Sequence, residues 1–136
     1  MALGDYEIVA PLGAGGMAET FSAIRRGDGG FEQKLCLKRI LPHFASDDEF
    51  IRSFLIEARL SAKLRHPNIV QILDFDVGEE NYLALELVEG CNLRELLVHQ
   101  FSIAEPLPAG LIAFIAHELA HALAYAHKHD VIHRDI

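Results

Sequence analysis

Leu12-Gly13-Ala14-Gly15-Gly16-Met17-Ala18 is the stretch on which the fold of this chain turns. Three glycines fall within four residues. Strand-like stretches flank them, Tyr6-Glu7-Ile8-Val9-Ala10 before and Thr20-Phe21-Ser22-Ala23-Ile24 after. A hairpin of this kind leaves backbone N–H groups that no side chain covers. Glycine permits positive φ and lets a ligand approach the main chain closely, and a row of such N–H groups suits phosphate oxygens. The competing reading is a plain turn, because glycine clusters commonly punctuate loops.

The totals narrow the classes. A length of 136 residues suits one domain. Apolar residues make up 51% and charged residues 24%, as in a globular chain. Twenty acidic residues against 12 basic ones give a net charge of −8, which argues against a nucleic-acid partner, since that needs a basic face. Cys36 and Cys91 lack metal-ligand spacing and read as reduced thiols of a cytoplasmic protein. No basic segment followed by an apolar run opens the chain, so no signal peptide is expected, and Met1 reads as a genuine start. No uninterrupted apolar stretch is long enough to span a bilayer.

Period-two stretches predict strands over 6–12, 18–25 and 31–40, with Gly27-Asp28-Gly29-Gly30 as a turn. Ser46-Asp47-Asp48-Glu49 fits a capping box opening a helix to residue 64, which stops before His66-Pro67. Strands over 69–77 and 82–88 follow, joined by a turn at Gly78-Glu79-Glu80-Asn81. Asn92-Leu93-Arg94-Glu95 starts a short helix to residue 99, and residues 101–107 read as a loop. Pro108 opens a long helix to residue 128, along which Leu111, Ile112, Ile115, Leu119 and Leu123 recur at helical spacing. Five antiparallel strands with one inserted helix, then helices, make an α+β fold that changes layer near Glu89-Gly90.

On the first helix, Phe50, Phe54, Glu57, Ser61 and Leu64 share a face, and Glu57 is its only charge. One reading is an edge glutamate bending out to water. The sharper one is that Glu57 meets a cation from the sheet, and Lys38 is the candidate. In Leu35-Cys36-Leu37-Lys38-Arg39, alternation sets Lys38 on the face opposite Leu37 and Arg39.

With these parts in line, the chain resembles the protein kinase family, most of all the eukaryotic-like Ser/Thr kinases of bacteria. Leu12–Ala18 with Glu19-Thr20-Phe21 resembles the glycine-rich loop, and Leu35-Cys36-Leu37-Lys38 stands where the family has Val-Ala-Ile-Lys. Phe54-Leu55-Ile56-Glu57-Ala58 resembles the helix carrying the paired glutamate, and His66-Pro67-Asn68-Ile69-Val70 the approach to the fourth strand. Leu85-Glu86-Leu87-Val88-Glu89-Gly90 resembles the hinge, and His133-Arg134-Asp135 the opening of the catalytic loop. The resemblance implies a small lobe over 1–88 and the start of the helical large lobe over 89–136. It departs from the family at Ala18 for the third glycine, at Thr20 for the usual valine over the adenine, and at Cys36 for alanine. The last two changes are expected to make the adenine slot slightly tighter or more polar.

The resemblance also implies roles. The backbone of Gly13, Ala14, Gly15, Gly16 and Met17 would cover the phosphates of ATP, with Leu12 also binding the nucleotide, and Lys38, positioned by Glu57, would hold the α- and β-phosphates. Thr20 and Cys36 would line the adenine slot. Glu86 and Val88 would bond the adenine edge through their main chain, with Leu85 setting the depth behind it. Asp135 would accept or orient the proton of a Ser or Thr hydroxyl on a protein substrate, and Arg134 would answer an activation-loop phosphate. The Mg2+ ligands of the family would lie beyond Ile136, so residues 1–136 alone are expected to be inactive and, with uncovered helices, to self-associate. A non-catalytic ATP-binding or interaction module is the alternative.

His117-Glu118-Leu119-Ala120-His121 also fits the His-Glu-x-x-His zinc hydrolase motif. Two histidines four apart share a helix face and could bind zinc. The longer form of the motif uses a glycine to turn its third histidine back, and here Ala124 stands in that place. On an unbroken helix His127 falls about 280° round from His117, so the three do not converge.

Overall fold

Along Glu32–Ile40, burial alternates as a half-buried strand requires: Leu35 and Leu37 are buried, Cys36 is half-buried and Lys38 is exposed. The computed structural model describes residues 2–78 and 81–132, apart from the side chains of Ala2 and Glu57. Its strands are β1 (Ala2–Leu3), β2 (Tyr6–Ala14), β3 (Ala18–Arg26), β4 (Glu32–Ile40), β5 (Ile72–Asp76) and β6 (Tyr82–Glu86). Its helices are α1 (Pro42–Ala45), α2 (Asp48–Ser61), α3 (Leu93–Ser102) and α4 (Ala109–Lys128). The chain divides into two compact units, Met1–Arg65 with Val70–Val88, and His66–Ile69 with Glu89–Ile136.

The first unit is an antiparallel sheet in the order β1-β2-β3-β4-β6-β5, with α2 inserted between β4 and β5. Leu3, Tyr6, Ala23, Leu35, Leu37, Tyr82 and Ala84 form its core. Each fully buried leucine there contributes about 1.5–3 kcal/mol through removal from water. The sheet curls on itself. The Tyr6 hydroxyl on β2 donates to Asp74 Oδ2 on β5 at 3.0 Å, although β3, β4 and β6 lie between those strands in the hydrogen-bonded order. Burial, and then the bond to Asp74, push the Tyr6 hydroxyl up to about 12.

Several local expectations need correction. The sheet has six strands among the described residues, because Ala2 and Leu3 pair with Glu7 and Tyr6. Asp47, not Ser46, caps α2: its Oδ1 accepts the N–H groups of Glu49 and Phe50, each at 3.0 Å. A carboxylate is the stronger acceptor and also suits the positive helix end. Ser46 instead closes the short helix α1, which periodicity could not reveal. Among the described side chains of α2, Ala58 is buried and Phe50 and Phe54 are half-buried. Helix α2 ends at Ser61, and β5 begins at Ile72 rather than 69. Of the 78–81 turn, Glu79 and Glu80 lie outside the described residues; Asn81 is buried with φ 43° and its carbonyl accepts the Ile40 N–H at 3.0 Å.

In the second unit, Asn92 and Glu95 form the reciprocal capping box that opens α3, which runs on to Ser102. Pro108 is the N-cap of α4 rather than its first helical residue. Residues 66–69 belong to this unit. Ile69 N–H donates to the His66 carbonyl at 3.1 Å, Asn68 Nδ2 donates to Glu118 Oε2 at 2.6 Å, and the rings of His66 and Tyr125 lie 5.2 Å apart. By length and composition alone α4 could cross a membrane, at a mean hydropathy of 1.3. His117, Glu118 and His121 interrupt its apolar run, and the core helix of a globular domain has the same length and composition.

Candidate active site

Strand register assembles the site. Gly13 pairs with Thr20, Thr20 with Lys38, and Lys38 with Leu83, making one row across four strands. Ala10, Ser22, Cys36 and Leu85 make a second row in the same way. The rows are two residues apart on β3, β4 and β6, so Thr20, Ser22, Cys36, Lys38, Leu83 and Leu85 share the face opposite the leucine core. Four of these were candidates from sequence. Ser22 and Leu83 were not, although stepping by two from Thr20 and Leu85 finds both.

The glycine loop caps the first row. Gly15 N–H donates to the Ala18 carbonyl at 2.8 Å and closes the turn between β2 and β3. Leu41 N–H donates to the Met17 carbonyl at 3.0 Å, tying the loop to the end of β4. Gly13, Gly15 and Gly16 are exposed, and none has a positive φ, which corrects one of the two reasons for glycine here. The other reason stands. A Cβ on Gly16 would meet nothing within 4 Å, and one on Gly15 only the Ala18 carbonyl at 3.6 Å, so the backbone is open to a ligand from outside. Ala18 differs: it is buried and pairs with Ile40, two residues along from Thr20 and Lys38 on the same face.

The remaining candidates fall as follows. The Thr20 hydroxyl donates to the Gly13 carbonyl at 3.1 Å, so its polar group is already engaged. Burial pushes the Cys36 thiol up, against the opposing charge of Lys38, which keeps it a neutral lining group. Leu85 is half-buried beside Cys36 on the neighbouring strand. Glu86 N–H donates to the Gln71 carbonyl at 3.0 Å, so that donor is taken up by the sheet. Leu12, Met17 and Val88 are exposed. The pairing of Lys38 with Glu57 lies outside the described residues because the Glu57 side chain does, and so do Arg134 and Asp135.

The histidine motif on α4 has a different environment. The rings of His117 and His121 lie 4.3 Å apart, yet Glu118 is taken up by Asn68 and by His117 Nδ1 at 3.1 Å. Those two bonds, Asn68 first, hold the Glu118 carboxyl below the usual range. Among the described residues no three His, Cys, Asp or Glu side chains gather as a cation site, so neither zinc nor magnesium is given a ligand set here.

Known proteins share both the sequence and the fold. The sequence model of the protein kinase domain matches residues 6–136. Tyrosine-protein kinase MasK of Myxococcus xanthus is 36% identical over 142 residues, covering 98% of this chain and 22% of MasK. Serine/threonine-protein kinase PrkC of Bacillus subtilis is 36% identical over 136 residues, covering 98% of this chain and 20% of PrkC. The crystal structure of the PknI kinase domain of Mycobacterium tuberculosis aligns with a TM-score of 0.80 at 32% identity, covering 100% of this chain and 53% of that one. This chain therefore spans about a fifth of those curated relatives and about half of the solved kinase domain. The six-stranded sheet with its inserted helix is the kinase small lobe and the helices after it are the first of the large lobe; the chain belongs to the protein kinase family, with bacterial Ser/Thr kinases among its relatives.

Proposed function

We propose that the intact protein transfers the γ-phosphoryl group of ATP to Ser or Thr hydroxyls of proteins. The observation that carries this reading is the row Gly13–Thr20–Lys38, which sets an open glycine loop and an exposed lysine side by side on one sheet face. ATP fits this arrangement: the N–H groups around Gly15 and Gly16 suit phosphate oxygens, and Lys38 supplies a positive charge next to them. Cys36, Thr20 and Leu85 line the slot for the base. With its N–H already donated to Gln71, Glu86 would offer its carbonyl to the adenine edge, and Val88 its main chain. Glu57 positions Lys38, Asp135 orients the acceptor hydroxyl, and Arg134 answers a phosphate. Residues 1–88 are the small lobe and 89–136 the start of the large one.

Phosphoryl transfer asks a protein mainly for positioning and charge neutralisation, the latter shared with Mg2+. Residues 1–136 contain no Asp-Phe-Gly, so by themselves they are expected to bind ATP without turning it over. The free thiols of Cys36 and Cys91 suit the cytoplasm, where ATP is available. Phe101, Val98 and Phe114 are exposed on α3 and α4, and this stretch alone is expected to self-associate, as light scattering would show.

Calorimetry with ATP tests the binding. Lys38→Ala is expected to weaken it about tenfold or more, as loss of a charged hydrogen bond does; equal affinities would overturn the reading. For residues 1–136 alone, turnover abolished by Lys38→Ala would overturn the inactivity. In the intact protein, phosphoamino-acid analysis reads the acceptor, and label on tyrosine alone would move it to the class named for MasK.

A further inference from the structure

Strand β2 is bulged twice, between Ile8 and Ala10 and between Pro11 and Gly13. The extra residues, Val9 and Leu12, are exposed. A bulge interrupts the ladder and bends its strand. Directly after each bulge stands a residue paired with a hydroxyl side chain on β3, and each hydroxyl donates to the carbonyl opposite. Ser22 Oγ reaches the Ala10 carbonyl at 3.3 Å, and Thr20 Oγ1 reaches the Gly13 carbonyl at 3.1 Å. The second bond sits at the root of the glycine loop, whose tip is closed by Gly15 N–H on Ala18 and anchored by Leu41 N–H on Met17.

We infer that Thr20 is a positioning residue: its hydroxyl staples the glycine loop to β3 and holds the loop's N–H groups in register above Lys38, with Ser22 doing the same for the first bulge. This rests on the reading of the loop as an ATP lid. A valine at this position has the shape of threonine without the donor, so a lid rooted by valine lacks this bond. Thr20 thus trades a purely apolar contact for a fixed loop root. The bond is exposed and local, so its loss frees the loop without unfolding the sheet.

Amide hydrogen exchange on the nucleotide-free intact protein tests the staple. Thr20→Val is expected to speed exchange at residues 14–17 by about fivefold, the range of one net hydrogen bond, while the amides of Leu35 and Leu37 stay unchanged. Thr20→Ser keeps the donor and is expected to restore the slow exchange. Ser22→Ala is expected to act on the amides of Val9 and Ala10 alone. Thr20→Val exchanging like the unsubstituted protein, or Thr20→Ser exchanging as fast as Thr20→Val, would overturn the inference. Slowing of residues 14–17 by ATP in the unsubstituted protein checks the lid reading separately. If ATP leaves those amides unaffected while the Thr20 series behaves as expected, the staple stands and the lid reading falls. With both intact, Thr20→Val is expected to raise the KM for ATP, and Thr20→Ser to bring it back.

Discussion

Two glycine-bearing turns flank the same strand, and they hold their glycines for opposite reasons. At the β1–β2 turn, Gly4 has φ +55°, and a Cβ there would stand 2.8 Å from the Tyr82 hydroxyl. At the β2–β3 turn, Gly13, Gly15 and Gly16 have ordinary φ, and an added Cβ would meet no more than ordinary contacts: Thr20 Oγ1 at 3.5 Å from Gly13, the Ala18 carbonyl at 3.6 Å from Gly15, and nothing within 4 Å at Gly16. The fold requires the first glycine. It does not require the others, so their presence calls for a cause outside the chain. A phosphate-bearing ligand, as proposed above, would be such a cause.

The sharpest way to break the contrast is Gly4→Ala. The left-handed backbone costs about 1–2 kcal/mol for a residue with a Cβ. Crowding Tyr82, which is buried and packs edge-on against Tyr6 with ring centroids 5.6 Å apart, adds a comparable amount. Urea unfolding is expected to show a loss of about 2–4 kcal/mol; a loss within experimental error would mean that the turn adapts and that Gly4 is as dispensable to the fold as Gly16.

Tyr6→Phe probes the same corner with a smaller effect. It removes the bond to Asp74 that closes the curled sheet, and is expected to cost about 1–2 kcal/mol. Its signature is in alkali. The folded Tyr6 hydroxyl titrates near 12 against 10.0 for a free one, so between those values the unfolded chain has lost a proton that the folded chain keeps. Stability is therefore full below pH 10 and falls as pH rises from about 10 to about 12. In Tyr6→Phe this part of the alkaline slope should vanish; an unchanged slope would show that Tyr6 does not carry it.

What the sequence discloses follows the range of the interaction. The strands that carry the glycine loop, Lys38 and Leu85 were legible because period-two alternation is local, and the Asn92–Glu95 capping box because it closes within three residues. Residues 66–69 were not. Ile69-Val70-Gln71-Ile72 reads as the start of a strand, but Asn68 is held by Glu118, 50 residues away, and the strand waits until Ile72. Strand β1 is two residues long, too short for any period. Both bulges on β2 were hidden as well. They move Gly13 opposite Thr20 and so decide which residues meet at the site, yet an extra residue in a strand leaves no mark in an apolar pattern.

The smallest structural effect belongs to Gly16→Ala, and it is the most informative one for function. With nothing within 4 Å of the added methyl and no positive φ to strain, unfolding free energy should change by less than about 1 kcal/mol, and can rise because alanine restricts the unfolded chain. ATP affinity should nevertheless fall, because the methyl occupies the space through which a phosphate oxygen would approach the neighbouring N–H groups. A variant as stable as the unsubstituted protein but several-fold weaker for ATP would place the need for glycine in the ligand. If stability and affinity both held, the glycines of this loop would be serving a turn alone, and Lys38 would have to bind phosphate without them.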